Sequence, residues 1–139
     1  MSYMLDTDTC IYLITGREPR KQQNILAKLE SLEQGEIVHL SSIVVSELSY
    51  GAQKGRWKKT NMALLEQFLL DFRIAVFDEH AAHCCGAIRA ALERKGKPIG
   101  PMDTLIAAHA VSLDVTLATH NVREFRRVSG LKVENWAAA

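Results

Sequence analysis

Three carboxylates stand where a carboxylate is either costly or unnecessary. Asp6 directly follows the apolar run Tyr3-Met4-Leu5. Thr7, Asp8 and Thr9 could each cap the helix that begins there, so capping alone does not call for Asp6. Glu47 lies in a helical segment whose polar residues Ser42, Ser46, Ser49 and Gln53 share one side, and it lies off that side. Its helical neighbours are Ile43, Val44, Tyr50 and Gly51, so its carboxylate leaves from an apolar flank. An unpaired carboxylate there must find a cation, a hydrogen-bond network or a proton. Asp103 opens the almost wholly apolar stretch Thr104–Leu113, after the loop Gly96-Lys97-Pro98-Ile99-Gly100-Pro101. As a helix cap it is ordinary; as a ligand it is held rigidly, at a helix end that favours its charged form.

Brought together, three acids repel one another and raise each other's pKa. Hard divalent cations relieve that repulsion, and Mg²⁺ typically takes one or two carboxylates together with waters and phosphate oxygens. Such an ion orients and deprotonates water and neutralises charge on a scissile phosphate. Phosphodiester hydrolysis is the chemistry this set would serve.

The elements that must position these acids alternate in type. Apolar runs at 3–5, 37–40, 74–77 and 115–118, with a short one at Val133, read as strands. Helical spacing marks 9–14, 21–34 (ended by Gly35), 43–53 (capped by Ser41-Ser42), the stripe Met62, Leu65, Phe68, Leu69 and Phe72, a long helix from Ala81 to Gly96, and 102–113. The prolines at 19, 98 and 101 fall in expected loops. Strands separated by helices imply parallel pairing and an α/β sandwich with helices on both faces. In such sheets ligands sit outside the carboxyl ends of the strands, where Asp6 falls.

A chain of 139 residues has room for one core, and a single domain is expected over 1–139. A hydrophobic content of 47% with 24% charged residues fits a folded soluble protein and excludes a disordered tail or a fibre. Seventeen basic residues against 16 acidic leave a net charge of +1, so bulk charge names no partner. Three cysteines make no disulfide framework and fit a reducing compartment. Asp6 and Asp8 interrupt any signal-like apolar stretch, and no run approaches the ~18 residues of a membrane span. No membrane partner and a cytoplasmic location are expected.

Four motifs carry a family likeness. They are Met4-Leu5-Asp6-Thr7; Ser42-Ile-Val-Val-Ser-Glu47-Leu-Ser-Tyr-Gly51; Pro98-Ile-Gly-Pro-Met-Asp103-Thr-Leu-Ile-Ala-Ala; and Thr119-His-Asn121-Val-Arg-Glu-Phe125, followed by Gly130-Leu131 and Glu134-Asn-Trp136. In this order, nearly end to end, the chain resembles the PIN-domain ribonucleases, above all the VapC-type toxins of bacterial toxin–antitoxin pairs. The resemblance implies a three-layer PIN-like sandwich around a mainly parallel sheet of four to five strands. It implies an endoribonuclease dependent on Mg²⁺ or Mn²⁺, the toxin of a type II pair, with a tRNA as the lead substrate. It further implies a homodimer silenced by a cognate VapB-type antitoxin, through which the toxin meets DNA indirectly. Asp6, Glu47 and Asp103 match the family's catalytic, metal-binding acids. Many relatives carry a fourth acid about where Asn121 stands, and Asn121 adds no charge. Asp8 fills a position often held by Asn, so its charge would compensate. Asp8, Thr119 and Asn121 are thus the residues expected to support the ligands or to add one.

A ribonuclease also needs cations along the phosphate path. Lys54, Arg56, Lys58 and Lys59 surround Trp57 with no acid from 54 to 59, and Arg123, Arg126 and Arg127 follow Asn121. Either group reads equally as a solvated helix end. Trp57 suits an unpaired base or a protein contact. His80, His83, Cys84 and Cys85 look superficially like a soft-metal site, but the cysteines belong to an apolar stripe and lack a second pair. Cys10 reads as core, His109 as a buried hydrogen-bonded histidine, and His120 as a group near the acids that could touch substrate. Two rival readings stand. Asp6-Thr7-Asp8-Thr9 resembles the nucleophile motif of haloacid-dehalogenase-like phosphatases, with Asp6 attacking phosphorus. The other rival is a catalytically silent, RNA-binding PIN scaffold.

Overall fold

A computed structural model describes residues 1–138. The elements run β1 (Ser2–Leu5), α1 (Thr7–Thr15), α2 (Pro19–Ser31), β2 (Ile37–Ser41), α3 (Ser42–Lys54), α4 (Lys58–Leu69), β3 (Arg73–Ala75), α5 (Glu79–Arg94), α6 (Pro101–Leu113), β4 (Thr116–Ala118), α7 (Val122–Phe125) and β5 (Val133–Glu134). The strands form one sheet in the order β3-β2-β1-β4-β5, and every neighbouring pair is parallel. Met4 lies beside His39 on one side and Leu117 on the other, which places β1 at the centre.

From β1 the chain steps outward through β2 to β3, then returns to β4 and β5 on the other side of β1. Right-handed crossovers place α1–α4 on one face and α5–α7 on the other. Accordingly α1 packs with α2, α3 and α4, while α5 packs along α6. The direction reverses between β1 and β4, and the carboxyl ends of these two strands form the switch point at which such sheets place their ligands.

Strands covered on both faces must be apolar on both. Met4, Leu5, Leu40, Leu117 and Ala118 on the three inner strands are wholly buried. α6 is buried at Thr104 and from Ile106 through Ala110, which explains its lack of a polar face. The rim is different: Arg73 and Ile74 of edge strand β3 are exposed.

Several local expectations change. Pro19 and Pro101 are the first residues of α2 and α6, where the missing N–H costs nothing; of the three prolines, Pro98 alone keeps its loop place. α1 begins at Thr7, not Thr9, because Asp6 itself caps it. α2 ends at Ser31, and Gly35 with φ +97° shapes the turn beyond it. β3 covers 73–75 because Phe77 leaves the ladder, its N–H donating to Ser42 Oγ at 3.0 Å. The stretch after Asn121 makes a single helical turn, α7.

Leu117 sits fully buried beside β1. Leu117→Ala is expected to cost about 3 kcal/mol, read from the urea midpoint at constant slope. A loss below about 1 kcal/mol would contradict this placement of the core.

Candidate active site

Asp6 stands at the switch point, 4% exposed. Its backbone N–H continues the β1–β4 ladder to the Ala118 carbonyl at 3.1 Å. One carboxylate oxygen, Oδ1, accepts the Thr9 N–H at 3.0 Å, capping α1; the other, Oδ2, accepts the Thr119 hydroxyl at 2.5 Å. Thr119 directly follows β4, and its oxygen also accepts the Asn121 N–H at 2.9 Å. The side chain is thus fixed from α1 on one side and from the residue after β4 on the other. Burial pushes the Asp6 carboxyl above its ordinary value, opposed by the Thr119 and Thr9 bonds.

Glu47, half-buried on the second turn of α3, finds no cation among the described residues. It accepts the Thr7 hydroxyl at 2.5 Å, which ties α3 to the start of α1. Glu47 also lines a cleft of about 370 Å³ between α1, α3 and α4, together with Lys54, Ile11, Ile14, Leu48 and Leu65. Asp103 is the third residue of α6, in its first turn, and the helix cap is Gly100. It is therefore not the cap, and its carboxylate is free for other work at the positive helix end.

Burial and then the charges of Asp6, Glu124, Glu47 and Asp8 push the Asp103 carboxyl up to about 6. Acids from five places in the sequence therefore share one field. No group of three His, Cys, Asp or Glu side chains among the described residues is close enough to hold a metal ion as placed. The acids meet electrostatically, without forming a ready-made cage. The donor set is nonetheless hard oxygen throughout, and a Mg²⁺ site needs only one or two carboxylates with waters and phosphate oxygens. Those residues fit a divalent ion.

Asp8 is exposed on α1 within this field. Asn121 reaches no acid of the central three; its Nδ2 donates to Glu124 Oε2 at 2.9 Å. Glu124, which sequence reasoning passed over, supplies the fourth negative charge near Asp103. The signal that could have found it is its place three residues after Asn121, on the same face of a helical turn.

His120 is exposed and edge-on to Tyr12 at 5.8 Å. Lys54, Arg56, Trp57, Lys58 and Lys59 are all exposed around the α3–α4 junction; Lys54 lies 4.9 Å from the Tyr50 ring and Arg56 5.7 Å from the Trp57 ring. Arg123 and Arg126 are exposed, and Arg127 donates to the Pro98 carbonyl at 3.1 Å. His109 is buried with Nδ1 2.7 Å from Ser41 Oγ. Cys10 is buried, Cys84 and Cys85 half-buried, and His83 turns outward to Glu79 at 3.5 Å.

The PIN-domain family profile matches residues 3–131. The tRNA(fMet)-specific endonuclease VapC of Shigella flexneri is 38% identical over 137 residues, 99% of each chain. Ribonuclease VapC2 of Rickettsia felis is 40% identical over 136 residues, 98% of each. This chain belongs to the VapC ribonucleases of the PIN-domain family. The VapBC2 complex of Rickettsia felis, solved on a DNA fragment from its promoter, contains a chain that superposes with a TM-score of 0.89 at 40% identity, covering 98% of this chain and 99% of that one. The match assigns the Asp6 motif to this family rather than to the dehalogenase-like phosphatases. PIN-domain ribonucleases in general depend on divalent metal ions.

The folded Asp103 carboxyl near 6 lies above the ordinary 3.8, so between about pH 4 and 6 the folded protein binds the extra proton. Stability therefore falls as pH rises through that window, and the penalty is complete above it. In EDTA at pH 7.5, Asp103→Asn is expected to raise stability by on the order of 1 kcal/mol, discounted for half exposure, a gain of a few degrees in Tm. Below pH 4 the gain should vanish. An equal gain at both pH values would contradict the shared field.

Proposed function

We propose that this chain is a metal-dependent endoribonuclease, the toxin of a type II toxin–antitoxin pair, working through Asp6, Glu47 and Asp103. The observation that carries this reading is the gathering of Asp6, Glu124, Glu47 and Asp8 around Asp103 at the switch point; burial first and then their charge push its carboxyl to about 6. Carboxylates held this way suit an ion that must bridge protein and phosphate.

Asp6, Glu47 and Asp103 would hold the ion, Mg²⁺ or Mn²⁺. When bound it supplies a deprotonated water at neutral pH and positive charge against the scissile phosphate. The chain's own residues do the positioning. Thr9 and Thr119 each occupy one site on the Asp6 carboxylate, and its remaining lone pairs stay open. Thr7 fixes Glu47 on the facing helix. Thr119 and Asn121 form one relay, since Thr119 accepts the Asn121 N–H while Asn121 steadies Glu124. Asp8 adds exposed charge at the rim, a supporting role in place of the charge Asn121 lacks.

A tRNA is the lead substrate, because the Shigella flexneri relative is named for tRNA(fMet). A VapB-type antitoxin is the partner, and DNA is met through it, as in the promoter-bound Rickettsia felis complex. We read residues 1–139 as one PIN-like domain that acts in the cytoplasm as a homodimer. No helix among the described residues is long and apolar enough to cross a membrane. RNA contacts from Lys54, Arg56, Trp57, Lys58 and Lys59, or from Arg123, Arg126 and Arg127, would bring the strand to the acids.

Purified protein with Mg²⁺ should cut initiator tRNA at discrete positions, and excess EDTA should stop it. Asp6→Asn and Glu47→Gln should each lower kcat at least 100-fold, of order 3 kcal/mol in the transition state, while circular dichroism stays unchanged. Tight RNA binding with no scission by the wild type would identify a silent scaffold. A phosphoryl group trapped on Asp6 would turn the reading toward a phosphatase.

A further inference from the structure

We propose that the RNA strand approaches the acidic site along one basic track built from two distant segments: Arg94, Lys95 and Lys97 at the end of α5, and Arg123, Arg126 and Arg127 on and after α7. The proposal rests on the ribonuclease reading and names the side of the site that the substrate crosses.

The two segments are joined. Arg127 Nη1 donates to the Pro98 carbonyl at 3.1 Å, which lays the arginines of one segment against the loop that carries Lys97. That loop is fixed to its helix: Gly96 adopts φ +67°, and the Lys97 N–H returns to the Leu92 carbonyl at 3.0 Å. The bond closes the helix in a Schellman manner and sets the path of the chain beyond it.

The cations also lack acidic partners. Lys21, Lys28, Arg89 and Lys132 have acidic partners within 4.0 Å, whereas none of the six does among the described residues. From 94 to 102 the chain carries three cations and no acid. Helix-dipole stabilisation explains Arg94 and Lys95 at a helix C-terminus, and Arg127 bonds Pro98, but Lys97, Arg123 and Arg126 are left without a role. By contrast, Lys54 and Arg56 of the other basic group already lie over aromatic rings.

Position decides what the track serves. The same loop runs directly into α6, where Asp103 stands in the first turn, and Glu124 lies between Arg123 and Arg126. On both segments, then, cations flank an acid of the site along the chain. A phosphodiester strand needs this pairing: cations to hold the flanking phosphates, and acids to hold the ion at the one being cut.

The experiment measures fluorescence anisotropy of a labelled RNA hairpin with a single-stranded loop, in EDTA, from 50 to 300 mM KCl. For single strands each phosphate contact contributes roughly 0.7 to the slope of log affinity against log salt. Lys95→Glu with Lys97→Glu should flatten the slope by about 1.4 and weaken binding at 100 mM KCl roughly 10- to 30-fold. Arg126→Glu with Arg127→Glu should act alike. Arg73→Glu, at an exposed cation on the opposite edge of the sheet, changes the net charge half as much as either pair and measures the effect of net charge alone. Slope changes for both pairs no larger than twice that of Arg73→Glu overturn the track. So does weakened binding of a VapB-type antitoxin with an unchanged RNA slope, which would assign the patch to a protein partner. Cleavage by the wild type in Mg²⁺ is scored separately: cleavage with unchanged slopes sinks the track alone, and flattened slopes without cleavage sink the nuclease reading alone.

Discussion

Asp103 lies half-buried in the field of Asp6, Glu124, Glu47 and Asp8, and no cation pairs with any of these acids within 4.0 Å among the described residues. Like charge gathered without a counter-charge is a standing cost to folding, and the fold must hold it in place. It does so with neutral donors. Thr9 and Thr119 hold Asp6, Thr7 holds Glu47, and Asn121 holds Glu124. Each hydroxyl or amide fixes a carboxylate's direction without cancelling its charge. Lysines in their place would stabilise the chain further and leave nothing for an ion to neutralise.

The parallel sheet makes the gathering geometric. All five strands point the same way, so the helices that follow β1 and β2 begin at the carboxyl end of the sheet, and α6 begins there before running back to β4. Asp6 ends β1, Glu47 rides the first turns of α3, Asp103 the first turn of α6, and Glu124 the turn after β4. Helix N-termini also contribute positive potential, which partly offsets the repulsion. Asp6 serves two ends at once: it caps α1 and presents a carboxylate to the site, because a carboxylate has more lone pairs than a cap uses.

Much of this was readable from residue types. Glu47 betrays itself by lying off the polar side of its helix, and Asp103 by opening a helix with no polar face. Alternating apolar runs and helical stripes give the parallel class, because a buried strand cannot alternate. Strand order escaped because it depends on which way each crossover turns, a non-local choice. α7 escaped because four residues cannot show a helical period, and Glu124 was hidden with it. Asp6 reads as a possible cap, but three neighbours have side chains equally able to cap, so the sequence alone did not single it out. Pro101 looked like a loop residue, and reading it as the first helical position would have moved Asp103 from the cap into the first turn.

A near-neutral chain that handles a polyanion must segregate its charge, and the acidic site flanked along the chain by unpaired cations is that segregation. The most direct measurement of the central claim is an anomalous difference map from a crystal of this protein soaked in MnCl₂. A manganese peak is expected against the Asp6 carboxylate, with Asp103 and Glu47 turned toward the same ion or its waters. Manganese bound only elsewhere on the surface, with the three carboxylates facing apart, would contradict it.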